Sequence, residues 1–388
     1  MKRLSQISFN IFLTSLFPIL SWLILGIIFH ENVANIFSVT YPLQFVFTVL
    51  LITLGTGANV VATKLKNKNI VYSNMLLSMI IGGLATILIF CFLNQYMSFM
   101  NFDFGSYRIL AVYAVIWMYF NFLISMLSEN LYFEERNKEA NILNIIFNFV
   151  NFISIIGFSL LFKNPELSVY LTLIFATIII LVSFFRYFRF SKIEFKMKEI
   201  LKNSSFNIIR NISFFLIYFI GYSNSFSYGM EYIVVINLAC LTTDTQWDMT
   251  TAIDIINNID ISKNQLDYKK TIADSMKFTC FLILSIILMN VIIYPYYKPN
   301  VLILAIFCGL EIINFLVYPF ISARSNYLQI ISPKKGIYHL SFSYFVRIIC
   351  SFIPSVFCTY IGQMFSMVYY SIALYLICRK EKAFKKTK

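Results

Sequence analysis

Charge is scarce in this chain. Only 13% of its residues are Asp, Glu, Lys or Arg, against 59% hydrophobic ones, and its mean hydropathy is +0.75. A soluble domain carries about 25% charged residues. That shortage excludes an ordinary soluble fold and predicts a polytopic α-helical membrane protein. The alternating ten-residue pattern of an outer-membrane barrel is also missing. Histidine occurs only at His30 and His339, too isolated for a metal site or a catalytic triad. There is no HExxH and no Gly-x-x-x-x-Gly-Lys-Ser/Thr loop, so neither a zinc protease nor ATP bound to this chain is expected. None of the seven cysteines forms a CxxC pair, and all fall in apolar stretches, where they read as small apolar side chains. The loops are too poor in charge for an intramembrane glycosyltransferase. No small-residue cleavage site follows the first apolar run, so that run reads as a retained span.

What is present is a series of apolar runs of about 20 residues, enough to cross the hydrocarbon core. They give twelve spans. The long second span ends in Gly55-Thr56-Gly57-Ala58-Asn59 before the basic loop of Lys64, Lys66 and Lys68. A basic connection, Arg186 to Asn203, has the length and charge of an amphipathic surface helix between two halves. With both termini cytoplasmic, nearly all of the 31 Lys and Arg fall on the cytoplasmic side. Only Arg108, Lys163 and Lys298 lie outside, and Arg210 and Arg347 fall within spans. The positive-inside rule accounts for such a bias. It explains the net charge of +13 without nucleic acid.

The halves echo each other. Ser8-Phe9-Asn10-Ile11 opens the first span, and Ser205-Phe206-Asn207-Ile208 opens the seventh, half a chain length later. Tyr72 and Tyr268 repeat at a nearly equal offset. Six spans per half give both halves the same orientation, as in parallel-repeat secondary transporters. The expected organisation is a six-helix bundle over 1–190, a cytoplasmic basic linker over 191–204 and a second six-helix bundle over 205–388, pseudo-symmetric around a central cavity.

The candidate site lies in the eighth span. It starts apolar, Tyr232 to Leu241, and turns polar at Thr242. On a helix, Asn237, Cys240, Asp244, Asp248 and Thr251 share one stripe. An Asp near the bilayer centre costs about 2.5–3.5 kcal/mol. Two on one face call for a water-filled cavity, a cation or a basic partner. Otherwise the membrane helix ends at Leu241 and the remainder is solvated. Glu311 sits in the middle of the tenth span with no surface within reach, Asn314 one turn on and Pro319 two turns on. A carboxyl there suits proton carriage. Arg347, within the eleventh span, is placed to pair with Glu311 or an Asp, or to hold an anionic substrate. Arg210, one turn into the seventh, can do the same or snorkel to the cytoplasmic face. Thr56 and Asn59, beside two glycines, read as residues for close helix packing or as the lining of a cavity.

Twelve spans in two parallel halves, the basic central loop and the run GTGANVVATKLKNKN together resemble the MOP flippase superfamily, which includes MATE multidrug exporters and polysaccharide flippases. The Gly-x-Gly-x-Asn run resembles the MATE junction between helices 2 and 3. The resemblance covers the whole chain in topology. It implies a second-half acidic site binding Na⁺ or H⁺, and Asp244, Asp248 and Glu311 fall in the corresponding spans. The first span lacks the acidic residue of some MATE members, which argues against a first-half proton site. The function implied is a cation-coupled exporter of amphipathic small molecules. A lipid-linked oligosaccharide flippase, with Arg210 and Arg347 holding pyrophosphate, is the alternative. The Gly-x-x-x-Asp-Arg loop motif of the major facilitator group is missing. No enzyme activity and no cofactor beyond a coupling Na⁺ or H⁺ is expected. The expected partners are membrane lipid and an amphipathic or lipid-linked substrate, the expected state is a monomer, and the expected place is the cytoplasmic membrane.

Overall fold

A computed structural model describes residues 2–189, 192–262, 268–331 and 333–380. Within its helices, some side chains lie outside the described residues, among them those of Asp244 and Thr251. The described chain is helical. Its helices are α1 (Lys2–Ile28), α2 (Glu31–Leu50), α3 (Gly57–Leu65), α4 (Asn69–Phe99), α5 (Arg108–Phe133), α6 (Asn137–Phe162), α7 (Pro165–Tyr187), α8 (Met197–Phe226), α9 (Met230–Ser262), α10 (Tyr268–Tyr297), α11 (Val301–Ile331), α12 (Pro333–Ser351) and α13 (Cys358–Lys380). A π-helical turn, Leu51–Thr56, joins α2 to α3, so these three form one long span. Counted this way, the described residues form twelve helices, as many as the spans expected.

Local chemistry sets several ends. Asn164 Oδ1 accepts the Leu167 backbone N–H at 3.1 Å, with Pro165 in the first turn of α7. His30 Nδ1 accepts the Asn32 N–H at 3.2 Å, starting α2. Lys66 takes a left-handed conformation (φ 51°) that terminates α3.

Among the described residues, eight helical stretches are long and apolar enough to cross a membrane, and Ser15–Ile28 of α1 adds a shorter one. Their faces are arranged for lipid. On α4, Ile80, Leu84, Ile87 and Leu88 are exposed, whereas Ser73, Asn74, Ser78 and Thr86 are buried. A soluble helix does the reverse. Buried hydroxyls satisfy themselves on the preceding turn, as Thr40 Oγ1 does with the Ile36 carbonyl at 2.7 Å. The chain is a multi-pass membrane protein.

The backbone divides into two compact units, Leu16–Phe219 and Met1–Ser15 with Ile220–Lys388. In the first, α5 packs against α2, α4, α6 and α7. In the second, α11 packs against α9, α10, α12 and α13. The central connection departs from the expected surface helix. Residues 192–196 are not helical, and α8 begins directly at Met197. Side-chain bonds anchor this stretch. Asn67 Nδ2 donates to Glu194 Oε2 at 2.7 Å, and the Glu194 backbone N–H donates to Ser73 Oγ at 2.8 Å.

Candidate functional site

The site is built on α9, α11, α12 and α13, all within one unit. α9 does not stop at Leu241; it is one continuous helix through its polar half. Thr242, Thr243, Gln246, Thr250 and Asn257 are buried there. A helix can carry these residues at depth because each meets a partner. Thr242 Oγ1 bonds the Leu238 carbonyl at 2.9 Å and accepts Asn290 Nδ2 of α10 at 3.0 Å. Asn257 Nδ2 donates to Ser322 Oγ of α11 at 2.9 Å.

Glu311 is 2% exposed, in the middle of α11. Neutral donors surround its carboxyl. Trp247 Nε1–H donates to Oε2 at 2.8 Å, Gln363 Nε2 to the same oxygen at 3.1 Å, and Asn314 Nδ2 to Oε1 at 3.4 Å. Arg347 Nη2 donates to Gln363 Oε1 at 2.8 Å, and the charge of Arg347 also acts on Glu311. Arg347 and Gln363 are both buried. Leaving a buried ion without such bonds would cost several kcal/mol.

Packing fixes the donors. The Trp247 ring stacks on Phe315 at 4.2 Å and meets Tyr318 edge-on at 5.4 Å. Both partners lie on α11 within two turns of Glu311. α12 and α13 approach closely at Gly362, where an added Cβ would come within 2.7 Å of Cys350 Cβ. That close approach brings the next residue, Gln363, alongside Arg347.

The expected α9 stripe divides. Asn237 and Cys240 are buried. Asp248 is exposed, and Ser15 Oγ of α1 donates to its Oδ2 at 2.6 Å. Adjacent residues of α9 therefore serve different partners: Trp247 serves Glu311 and Asp248 serves Ser15. The Asp244 and Thr251 side chains lie outside the described residues. Arg210, half-buried on α8, belongs by its number to the other unit. Among the described residues, no group of three or more His, Cys, Asp or Glu could hold a metal ion.

Sequence reasoning missed Trp247 and Gln363, which lie far from Glu311 along the chain. It also missed Glu129, near the end of α5. Asn59 Nδ2 donates to the Glu129 carbonyl at 2.9 Å and to its Oε2 at 3.2 Å. Thr56 adds a side-chain bond to the same carboxylate. Thr56 and Asn59 thus do more than pack.

No family model matches the sequence, and no curated protein does. Solved structures do match. A multidrug resistance MATE family transporter of the MOP superfamily, in an outward-facing conformation, superposes with a TM-score of 0.68 at 16% identity, covering 100% of this chain and 97% of that one. A MOP superfamily transporter from Pyrococcus furiosus, described as having a binding pocket of reverse polarity that suggests a different function, gives 0.67 at 17% identity, over 100% and 97%. MATE in a bent conformation gives 0.68 at 16%, over 99% and 96%. The chain has the fold of MATE and MOP superfamily transporters over its whole length.

Proposed function

We propose that this protein is a cation-coupled secondary transporter that exports amphipathic small molecules by alternating access. The observation that carries the reading is Glu311: a buried carboxyl that accepts from the neutral donors Trp247, Gln363 and Asn314. A carboxyl at that depth, bonded by neutral groups, suits reversible binding of a proton or Na⁺. Asp248, exposed and bonded to a hydroxyl, suits attraction of a coupling cation or a cationic substrate. Asp244, Asn237 and Thr251 complete the acidic stripe of α9 in this reading. The protein works in the cytoplasmic membrane with both termini inside, as a monomer, with no ATP, nucleic acid or cofactor beyond the coupling ion.

A second reading has one observation in its favour. Arg347 is buried, and a fixed cation at that depth would hold the pyrophosphate of a lipid-linked oligosaccharide. Arg210 would assist.

Dye efflux from proteoliposomes tests the choice, with Na⁺ and H⁺ gradients imposed separately on wild type, Asp248→Asn and Glu311→Gln. The exporter reading expects gradient-driven efflux that both variants lose. Absence of cation-driven efflux in the wild type, across several dyes, transfers the assignment to the flippase.

A further inference from the structure

We propose that the stretch from Lys192 to Lys202 is a fixed anchor for anionic phospholipid headgroups. The inference goes beyond the transport reading, since lipid binding here stands or falls without any substrate.

Two inward-facing residues set its orientation. Glu194 accepts from the Asn67 amide at 2.7 Å, and its backbone N–H donates to Ser73 Oγ at 2.8 Å. Ile200, in the first turn of α8, is buried in an apolar cluster with Ala58, Val61 and Ala62 of α3 and Ile70 and Val71 of α4. α8 runs close to α3 here, since a Cβ on Gly57 would collide with Ser204 Oγ. With those residues turned in, their neighbours are turned out. Ile193 and Phe195, on either side of Glu194, are 64% and 48% exposed. At the start of α8, Lys198, Leu201 and Lys202 are neighbours on one helix face, and all three are exposed.

Place and charge both suit a bilayer surface. Ser73 lies one turn into the apolar helix Asn69–Phe99, and the apolar helix Pro165–Tyr187 ends just before the stretch. The stretch therefore sits where hydrocarbon gives way to headgroups. Exposed Ile193, Phe195 and Leu201 would be poorly placed in water, whereas the boundary of a leaflet accepts such side chains. From Arg186 to Asn203 the chain carries six basic residues and two acidic ones. Lys and Arg beside apolar anchors at this level attract anionic headgroups.

Other basic groups at this end already have protein partners. Among the described residues, Arg136 pairs with Glu134 and Glu139, and Arg189 pairs with Glu134. Arg186 lies over the Tyr187 ring. Lys192, Lys198 and Lys202 take no part in those ion pairs and are exposed, so their ammonium groups are the ones that meet lipid phosphate.

Brominated lipids quench indole emission on contact, so the full chain carrying Phe195→Trp tests the proposal in nanodiscs. The discs hold equal parts of phosphatidylglycerol and phosphatidylcholine, with one lipid or the other brominated. Wild type, measured alongside, supplies the background of the three natural tryptophans. The expected result is that the added indole is quenched in both discs, about twofold or more strongly where the phosphatidylglycerol is brominated. In the triple variant Lys192→Gln, Lys198→Gln, Lys202→Gln, that difference disappears. No quenching of the added indole in either disc, or equal quenching in both, overturns the proposal, whatever the transport assays show. A difference that survives the triple variant overturns it equally. Should Phe195→Trp not fold, Leu201→Trp carries the same test.

Discussion

Trp247 gives its indole N–H to Oε2 of Glu311 at 2.8 Å, so an aromatic side chain of one helix fixes a buried carboxyl in the middle of another. Hydrogen bonds to charged groups contribute about 1.5–3 kcal/mol each. Trp247→Phe keeps the stack on Phe315 and removes only the donor. The expected loss is about 1.5–3 kcal/mol of stability where Glu311 is ionised. Thermal melting of Trp247→Phe, Glu311→Gln and the double variant should show losses that are clearly not additive. Additive losses would place the two residues outside one network.

Arg347 depends on Gln363. Gln363→Leu removes both the bond to Arg347 and the bond to Glu311. Breaking a buried charged relay costs about 3–5 kcal/mol. Arg347→Lys should recover little of the loss in Arg347→Met, because an ammonium lacks the planar fork that reaches the amide oxygen. Chemical or thermal unfolding of the three variants in detergent checks the ranking.

Gly362→Ala places a Cβ 2.7 Å from Cys350 Cβ and 3.4 Å from the Arg347 carbonyl. Overpacking of this kind costs about 1–3 kcal/mol. Cys350→Gly removes that Cβ, so it should cost less in the Gly362→Ala background than in wild type. Equal costs in the two backgrounds would rule out that clash as the cause.

At the C-terminal end of α5, burial pushes the Glu134 carboxyl upward. Bonds from Tyr72 and Arg136, with the charges of Arg189 and Arg136, outweigh it and hold the carboxyl below its usual range. The folded value is therefore lower than the unfolded one. The stability Glu134 contributes is complete above the ordinary carboxyl range and is lost as pH falls through the folded value. Melting temperature should fall more steeply on acidification in wild type than in Glu134→Gln. Parallel acid profiles would refute the assignment.

The spans were legible because a bilayer imposes length and apolarity on each helix separately. Glu311 was legible for a related reason: a carboxyl in the middle of VLILAIFCGLEIINFLVYPF has nowhere local to go. Its partners were not. Trp247, Gln363 and Arg347 meet it through the packing of α9, α12 and α13 on α11, and nothing in the spacing of one helix encodes which neighbour it gains. Glu129 escaped notice because it lies just before Glu134, Glu135 and Arg136 and reads as part of that charged loop. The π turn was equally hidden, since Gly55-Thr56-Gly57 reads as the end of a helix rather than a change in its winding. The basic connection is helical at its two ends, within α7 and α8, but residues 192–196 between them are not, where Asn67 and Ser73 bond Glu194.

The chain has only three tryptophans, and Trp22 and Trp117 both fall within Leu16–Phe219. Replacing those two with Phe leaves Trp247 as the lone tryptophan, whose ring nitrogen touches the carboxyl of interest and which can be excited apart from the tyrosines. Its emission then becomes an optical gauge of the charge on Glu311, built into the protein and readable in a cuvette without label or substrate.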